Sequence, residues 1–350
     1  MKRPRDWGKP EVTTGTHKLL RAAAFRIFLV TALLNLPAVA EEPNQIRVGV
    51  SAYLSYAPFH IADQEGFFAD HGLEVELVNL RRSYLWLAPL IRGDLDVGAG
   101  QLSPGLFNAM ARGARIQFVA GKEVYASSSE CTYLGILVST ELAQRGSPGD
   151  ATLLRGKVVS LERNSVYGYF LDRTLQTAGL ELSDAFTRVV VPAVEVEAVR
   201  RGQIDAFNSA EPWVTRALDT GVVVLAHSAQ VVMPDFPGGI VVFGQTLLEG
   251  RPDLGQRFMA AYLAGVRRYE EGKTERNLEI LSRSLELEQR FLERACWPTF
   301  SRGPIDHGQL LEFQKWLKAQ GLLNETLATE DYWEPRFIRQ TPSMAGEVEP

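Results

Sequence analysis

From Gln45 onward, short apolar runs rich in β-formers alternate with longer stretches whose apolar residues recur at helical spacing. This alternation predicts an α/β chain with mainly parallel sheets and crossover helices. A first pass gives strands at Ile46–Val50, Glu74–Val78 and Asp96–Ala99, with helices over Ala57–Asp70, over Tyr84–Arg92 and from Pro104. A second pass gives strands at Val158–Leu161, Phe186–Val191 and Asp205–Phe207, with helices over Tyr167–Thr177, over Val194–Arg201 and from Pro212. The passes share residues as well as order. Arg92-Gly93-Asp94-Leu95-Asp96-Val97 matches Arg201-Gly202-Gln203-Ile204-Asp205-Ala206, and Gly72-Leu73 matches Gly179-Leu180. In each, Gly ends a helix where a left-handed residue is needed, and an Asp starts the next short strand. Two related lobes are therefore expected.

Between the passes, Thr132–Val138 reads as a strand leaving the first lobe. Val222–Ala226 and Gly239–Phe243, separated by the turn formers Pro234-Asp235-Phe236-Pro237-Gly238, read as strands that carry the chain back. The expectation is a lobe over residues 41–138 plus 239–340, a lobe over 139–238, two hinge crossings and a disordered tail over 341–350. Leu254, Phe258, Ala261, Tyr262, Gly265, Val266 and Tyr269 form one helical apolar stripe, and Leu310, Phe313, Trp316 and Leu317 another, capped by Asp306 with Gln309. Both stripes read as core.

The first 40 residues have a different pattern. Lys2, Arg3, Arg5, Lys9, Lys18, Arg21 and Arg26 precede an apolar run over Ile27–Leu36, followed by Pro37 and Ala38-Val39-Ala40. This is the order of a secretory signal, and the run is about half the roughly 20 residues that a membrane span needs. Cleavage after Ala40 is expected. With no Cys after that site and no twin Arg before the run, the mature chain is expected free in a periplasm, without a lipid anchor.

Charge narrows the partners. The net charge of -5 for the 350 residues moves to about -10 once the basic leader is removed, which disfavours nucleic acid and anionic lipid. The chain is 45% hydrophobic and 23% charged, ordinary values for a globular protein long enough to hold two cores. The two cysteines, Cys131 and Cys296, either pair or remain two separate buried thiols; the sequence leaves both open.

Ligands of open parallel sheets bind beyond the carboxyl ends of the strands, where helix N-termini present unpaired N–H groups. Four loops qualify: Ser51–Pro58, Gly100–Pro104, Glu162–Gly168 and Asn208–Pro212. Their stacking and hydrogen-bonding side chains, with the next turn, are Tyr53, Ser55, Tyr56, Gln101, Ser103, Asn164, Ser165, Tyr167, Asn208, Ser209, Glu211 and Trp213. Ser103, Asn164 and Ser165 also suit plain helix capping, and Tyr53 and Trp213 suit core packing. Catalytic patterns are weak. The histidines at 17, 60, 71, 227 and 307 make no metal-ligand spacing, and there is no G-x-S-x-G elbow. Gly98-Ala99-Gly100-Gln101-Leu102-Ser103 with Glu123 beyond it imitates a dinucleotide fingerprint, but Ser stands where the third Gly must allow close helix packing. No catalytic residue, metal or cofactor is expected.

Tyr56-Ala57-Pro58-Phe59-His60-Ile61-Ala62, Glu65-Gly66-Phe67-Phe68, Gly72-Leu73-Glu74-Val75, Gly93-Asp94-Leu95-Asp96-Val97-Gly98, Leu154-Arg155-Gly156-Lys157-Val158 and Glu211-Pro212 together resemble the nitrate/sulfonate/taurine and thiamine-precursor periplasmic solute-binding proteins. The resemblance implies a two-lobed type II binding protein that closes on a small solute and feeds an ABC permease in the inner membrane. It also implies a ligand-binding role by position for Ser55, Tyr56, Gln101, Ser103, Asn164, Ser165, Asn208 and Glu211. Arg163 is the one basic residue in the four loops, so a pyrimidine-like or other aromatic solute is expected ahead of an organic sulfonate, and both ahead of nitrate. A monomer is expected. The competing classes are an exported enzyme of the same fold acting on a pyrimidine-like compound, and a periplasmic sensor that presents ligand to a receptor.

Overall fold

The structure is a computed structural model that describes Gly8 and residues 44–80, 85–147 and 149–339. The export segment, its cleavage site and the tail from residue 341 lie outside the described residues. The described residues from Asn44 to Arg339 cluster as one unit.

Among the described residues, thirteen strands form three sheets. The first sheet contains β1 (Gln45–Val50), β2 (Glu74–Asn79), β3 (Val97–Gly100), β4 (Gln117–Gly121) and β12 (Ile240–Phe243), in the order β2-β1-β3-β12-β4. The second contains β6 (Leu134–Ser139), β7 (Val158–Ser160), β8 (Phe186–Arg188), β9 (Ala206–Ala210) and β10 (Val223–Ser228), in the order β10-β6-β9-β7-β8. Read from the opposite edge, the second order repeats the first strand for strand. In each sheet one strand opposes the others: β12 is antiparallel to β3 and β4, and β6 is antiparallel to β9 and β10.

These two strands revise the expected connections. Thr132–Val138 was expected to leave the first lobe, but β6 lies inside the second sheet, and β12 returns to fill the equivalent slot in the first. Each lobe thus receives its antiparallel strand across a crossing. β5 (Glu123–Tyr125), β11 (Phe236–Pro237) and β13 (Thr299–Phe300) form a small antiparallel sheet on those crossings, with β5 central.

The repeated motif has one hydrogen-bonding scheme. Asp96 accepts the Arg47 amide on Oδ2 at 2.9 Å, and Asp205 accepts the Val158 amide on Oδ2 at 2.9 Å. Each Asp amide donates back across the same strand pair, to the carbonyls of Arg47 and Val158. Each Asp carbonyl accepts from the lobe's inserted strand, from Gly244 after β12 and from Ser139 at the end of β6. Gly93 and Gly202, before these aspartates, have φ of 79° and 66°, a region that L side chains avoid.

The helices are shorter than the sequence suggests. Ala57–Asp70 is interrupted at Gly66, which is left-handed, and becomes helices over Ala57–Gln64 and Phe67–Asp70. The long apolar stripe forms the helix Pro252–Glu270 and buries Phe258 and Tyr262 against Phe59. The helix His307–Ala319 is capped by Asp306, which accepts the Gln309 amide at 3.1 Å, and its Trp316 donates to Asp172 in the second lobe at 2.9 Å.

Candidate ligand-binding cleft

The carboxyl ends of the two sheets bring the four predicted loops toward one another. Tyr53 leads into a short turn over Leu54–Tyr56, and the Tyr56 hydroxyl donates to the Ala99 carbonyl at 2.7 Å, which ties the first loop to the end of β3. Across from them, the Ser165 hydroxyl accepts the Tyr167 amide at 3.0 Å and donates to the Glu162 carbonyl at 2.6 Å, starting the helix Val166–Gln176. Ser165 is therefore a working cap. Ser103, before Pro104, makes no capping bond.

Tyr53, Ser55, Tyr56, Gly100 and Gln101 line a cavity together with Tyr133, Tyr167 and the pair Lys122 and Glu123. Its volume is about 10 Å³, close to the room for a single water. Bonds between the two sides shut it: the Leu54 amide donates to the Glu211 carbonyl at 3.3 Å, Gln101 bonds the Tyr167 hydroxyl, and Ser55 bonds Tyr133. This space is too small for a solute larger than water.

The floor comes from the junction of β4 and β5. Lys122 and Glu123 are each 1% exposed, with Nζ 2.7 Å from Oε2. The ammonium also donates to the Ser55 carbonyl at 3.1 Å and lies 4.3 Å from the centre of the Tyr56 ring. Burial pulls the Lys122 pKa down and the Glu123 carboxylate opposes that pull. The phenols are also displaced: burial, with Glu195 and Glu162 adding, pushes Tyr53 up to about 12, and burial raises Tyr56, Tyr133 and Tyr167 further. All four are neutral donors at any physiological pH.

Of the sequence-derived residues, Tyr53, Ser55, Tyr56, Gln101 and Tyr167 line this cavity, and Asn208 adjoins it through a 3.1 Å bond from Nδ2 to the Tyr167 carbonyl. Glu211 is placed differently. Its carboxylate accepts from the Thr215 amide and hydroxyl and from the Cys296 amide, at 3.1, 2.6 and 3.0 Å, so it fastens the next helix and the C-terminal segment. Trp213 lies against the Arg216 guanidinium, 5.2 Å away, and Asn164 is exposed; neither lines the cavity. The expectation that Arg163 alone brings positive charge is corrected by Lys122, which enters from outside the four loops. Lys122 and Tyr133 escaped the sequence reading because both belong to the crossings. The one available hint was a charged pair between two apolar strands.

Cys131 and Cys296 form a disulfide 165 residues apart in sequence. It joins the segment between β5 and β6 to the residues before β13, beside the Glu211 carboxylate.

Residues 39–282 match the model of the NMT1-like family. The chain belongs to that family. No curated protein matches it in sequence. Among solved structures, this family member is similar to the ligand-binding component of an ABC-type import system from Staphylococcus aureus, solved with zinc bound, at 17% identity and a TM-score of 0.71, over 85% of this chain and 98% of that one. It is similar to the alkanesulfonate-binding protein SsuA from Xanthomonas axonopodis pv. citri bound to MOPS, at 21% identity and a TM-score of 0.68, over 84% and 99%. It is also similar to the periplasmic nitrate-binding protein NrtA from Synechocystis PCC 6803, at 18% identity and a TM-score of 0.71, over 88% and 90%. The two-lobed α/β fold of periplasmic solute-binding components of ABC importers is thereby established for the family member. Among its described residues, no helix is long and apolar enough to cross a membrane, and no cluster of three or more His, Cys, Asp or Glu side chains is placed to hold a metal.

Proposed function

We propose that the chain is the periplasmic solute-binding component of an ABC importer and captures a small organic solute between its lobes. The observation that carries this reading is the cavity lined from both sides by Tyr53, Tyr56, Tyr133 and Tyr167 over the Lys122–Glu123 pair. Phenol faces stack on planar solutes, their hydroxyls direct polar edges, and a paired floor adds no net charge. A flat, neutral or weakly basic heterocycle of pyrimidine type fits this chemistry best. An organic sulfonate is the second reading, and Lys122 is the observation that favours it, since its ammonium could turn from Glu123 toward an anion.

Binding in this reading closes a hinge at β5 and β11, performs no chemistry, and delivers the solute to an inner-membrane permease as a monomer. Lobe one is the first sheet with the C-terminal helices, and lobe two the second sheet with its own. Export precedes binding, so N-terminal sequencing of the secreted protein should read Glu41-Glu42-Pro43. Native mass spectrometry of protein taken from its own periplasm should show one small bound organic molecule, released unchanged in mass on denaturation. Small-angle scattering should show a smaller radius of gyration at saturation than in the stripped protein. A solute that leaves with altered mass would establish the enzyme class instead, and saturation without contraction would overturn closure.

A further inference from the structure

The repeated motif aligns Trp86 with Glu195, the residues six positions before Arg92 and Arg201. The same register aligns Gly100 with Ser209, and the matching Asp bonds to Arg47 and Val158 align Gly49 with Ser160. In the first lobe the Trp86 ring packs against Gly98 of β3. In the second, a carboxyl occupies the equivalent place: Glu195 is 3% exposed, and its Oε1 accepts from the Ser160 hydroxyl at 2.9 Å, with Ser209 also bonded to it. Ser160 in turn accepts the Val190 amide at 3.2 Å, which fixes the hydroxyl as a donor to Glu195. The other carboxyl oxygen, Oε2, is buried with no partner.

A buried carboxyl oxygen without a hydrogen bond is destabilising, so its presence calls for a use. Its place supplies one. Ser160 ends β7, Ser209 lies one residue from the end of β9, and Glu195 starts the helix between β8 and β9, so the carboxyl stands at the carboxyl edge of the sheet, where ligands of such folds sit. It is near enough to Tyr53, a lining residue from the other lobe, for its charge to raise that phenol. Glu162, on the loop after β7, also acts on Tyr53. Glu211, the carboxylate that the sequence offered for a heterocycle's N–H groups, is fully engaged elsewhere.

We propose that Glu195 is the second-lobe anchor for an N–H donor of the solute, so that the solute carries an amino, amidine or ring N–H group facing Ser160 and Ser209. The inference rests on the solute-binding reading above. It explains why the second lobe keeps two serines and a carboxyl where the first has two glycines and a tryptophan. Burial raises the Glu195 pKa to about 8, so the carboxyl is neutral without solute; a cationic N–H donor set against Oε2 favours the carboxylate, and the proton leaves to solvent.

The test is calorimetry and small-angle scattering with three probes: 4-amino-2-methylpyrimidine, 2,4-dimethylpyrimidine, which lacks the amino donor, and ethanesulfonate. The wild type should bind the amino compound at least about tenfold more tightly than the dimethyl compound, the usual scale of a hydrogen bond to a charged group. Glu195→Gln keeps the volume and the serine contact but places an NH2 donor at the free position, and should bring that ratio close to one. Should Glu195→Gln fail to fold, the wild-type ratio still decides, with Ser160→Ala as the second variant, expected to lower it. Equal affinity of the wild type for both pyrimidines, or an unchanged ratio in Glu195→Gln, overturns the role of Glu195. Contraction with ethanesulfonate alone does so too while leaving the solute-binding reading standing. Contraction with none of the three overturns that reading and the inference with it.

Discussion

The two lobes share a backbone scheme and fill it with opposite chemistry. At the sheet edge of the first, Gly49 and Gly98 leave room for Trp86, whose Cε3 lies 2.2 Å from where a Cβ on Gly98 would stand. At the same edge of the second, Ser160, Ser209 and Glu195 form a buried polar cluster beside Phe207, the counterpart of Gly98. One side is closed by dispersion and the other by hydrogen bonds. The lesson is that strand order and turn glycines are set by backbone requirements common to both halves, whereas the side chains over the sheet ends are free to diverge. The two sheet edges thereby differ, one apolar and one polar.

The largest expected effect tests the apolar side. Trp86→Ala should destabilise the protein by about 3–5 kcal/mol in denaturant unfolding, the cost of a large aromatic cavity. A loss below about 1 kcal/mol would show that the ring is not the plug described here. Next is the staple between the segment before β6 and the segment before β13. Replacing Cys131 and Cys296 together by Ala should cost about 2–5 kcal/mol, because 165 residues of separation make a long loop to close. Reducing agent should lower the melting temperature of the native protein and leave the double variant unchanged.

Smaller effects sharpen the equivalence itself. Asp96→Ala and Asp205→Ala each leave one strand amide unpaired and should each cost about 1–3 kcal/mol, by nearly the same amount. A wide gap between the two would show that the shared scheme is not shared energetically. A pH-dependent effect concerns the polar cluster. The folded protein keeps the Glu195 proton up to about pH 8, whereas an ordinary Glu loses it near 4.5, so within that window the unfolded chain binds fewer protons. Stability should therefore fall as pH rises from 4.5 to 8, with Glu195 contributing at most about 1.4 kcal/mol per unit, and level off above 8. Denaturation of Glu195→Gln across the same series should lack that component; an identical slope in both proteins would place the carboxyl in an ordinary environment.

Much of this was legible in sequence because it is local. Gly72, Gly93, Gly179 and Gly202 announce left-handed turns within a few residues of the helices they end, and all four are left-handed. Asp306 and Ser165 cap helices two or three residues away. The loops holding Tyr53, Gln101 and Tyr167 follow strands whose direction the alternating pattern already implies. Glu211 misled for a related reason: an acid at the end of a strand looks free until Cys296, 85 residues on, brings its amide to it.

The sequence by itself determined that the chain is a duplicated strand-and-helix unit with its polar loops at the strand ends. Period, turn chemistry and capping act over a few residues and are written into them. Only the tertiary structure decided that β6 and β12 exchange between lobes, that Lys122 and Glu123 form the floor, that Cys131 meets Cys296, and that Glu195 stands where its counterpart is Trp86. Each of these depends on contacts between segments tens to hundreds of residues apart, or on burial that turns an ordinary charged side chain into a paired or neutral one. A linear pattern carries neither the distance nor the dielectric that decides it.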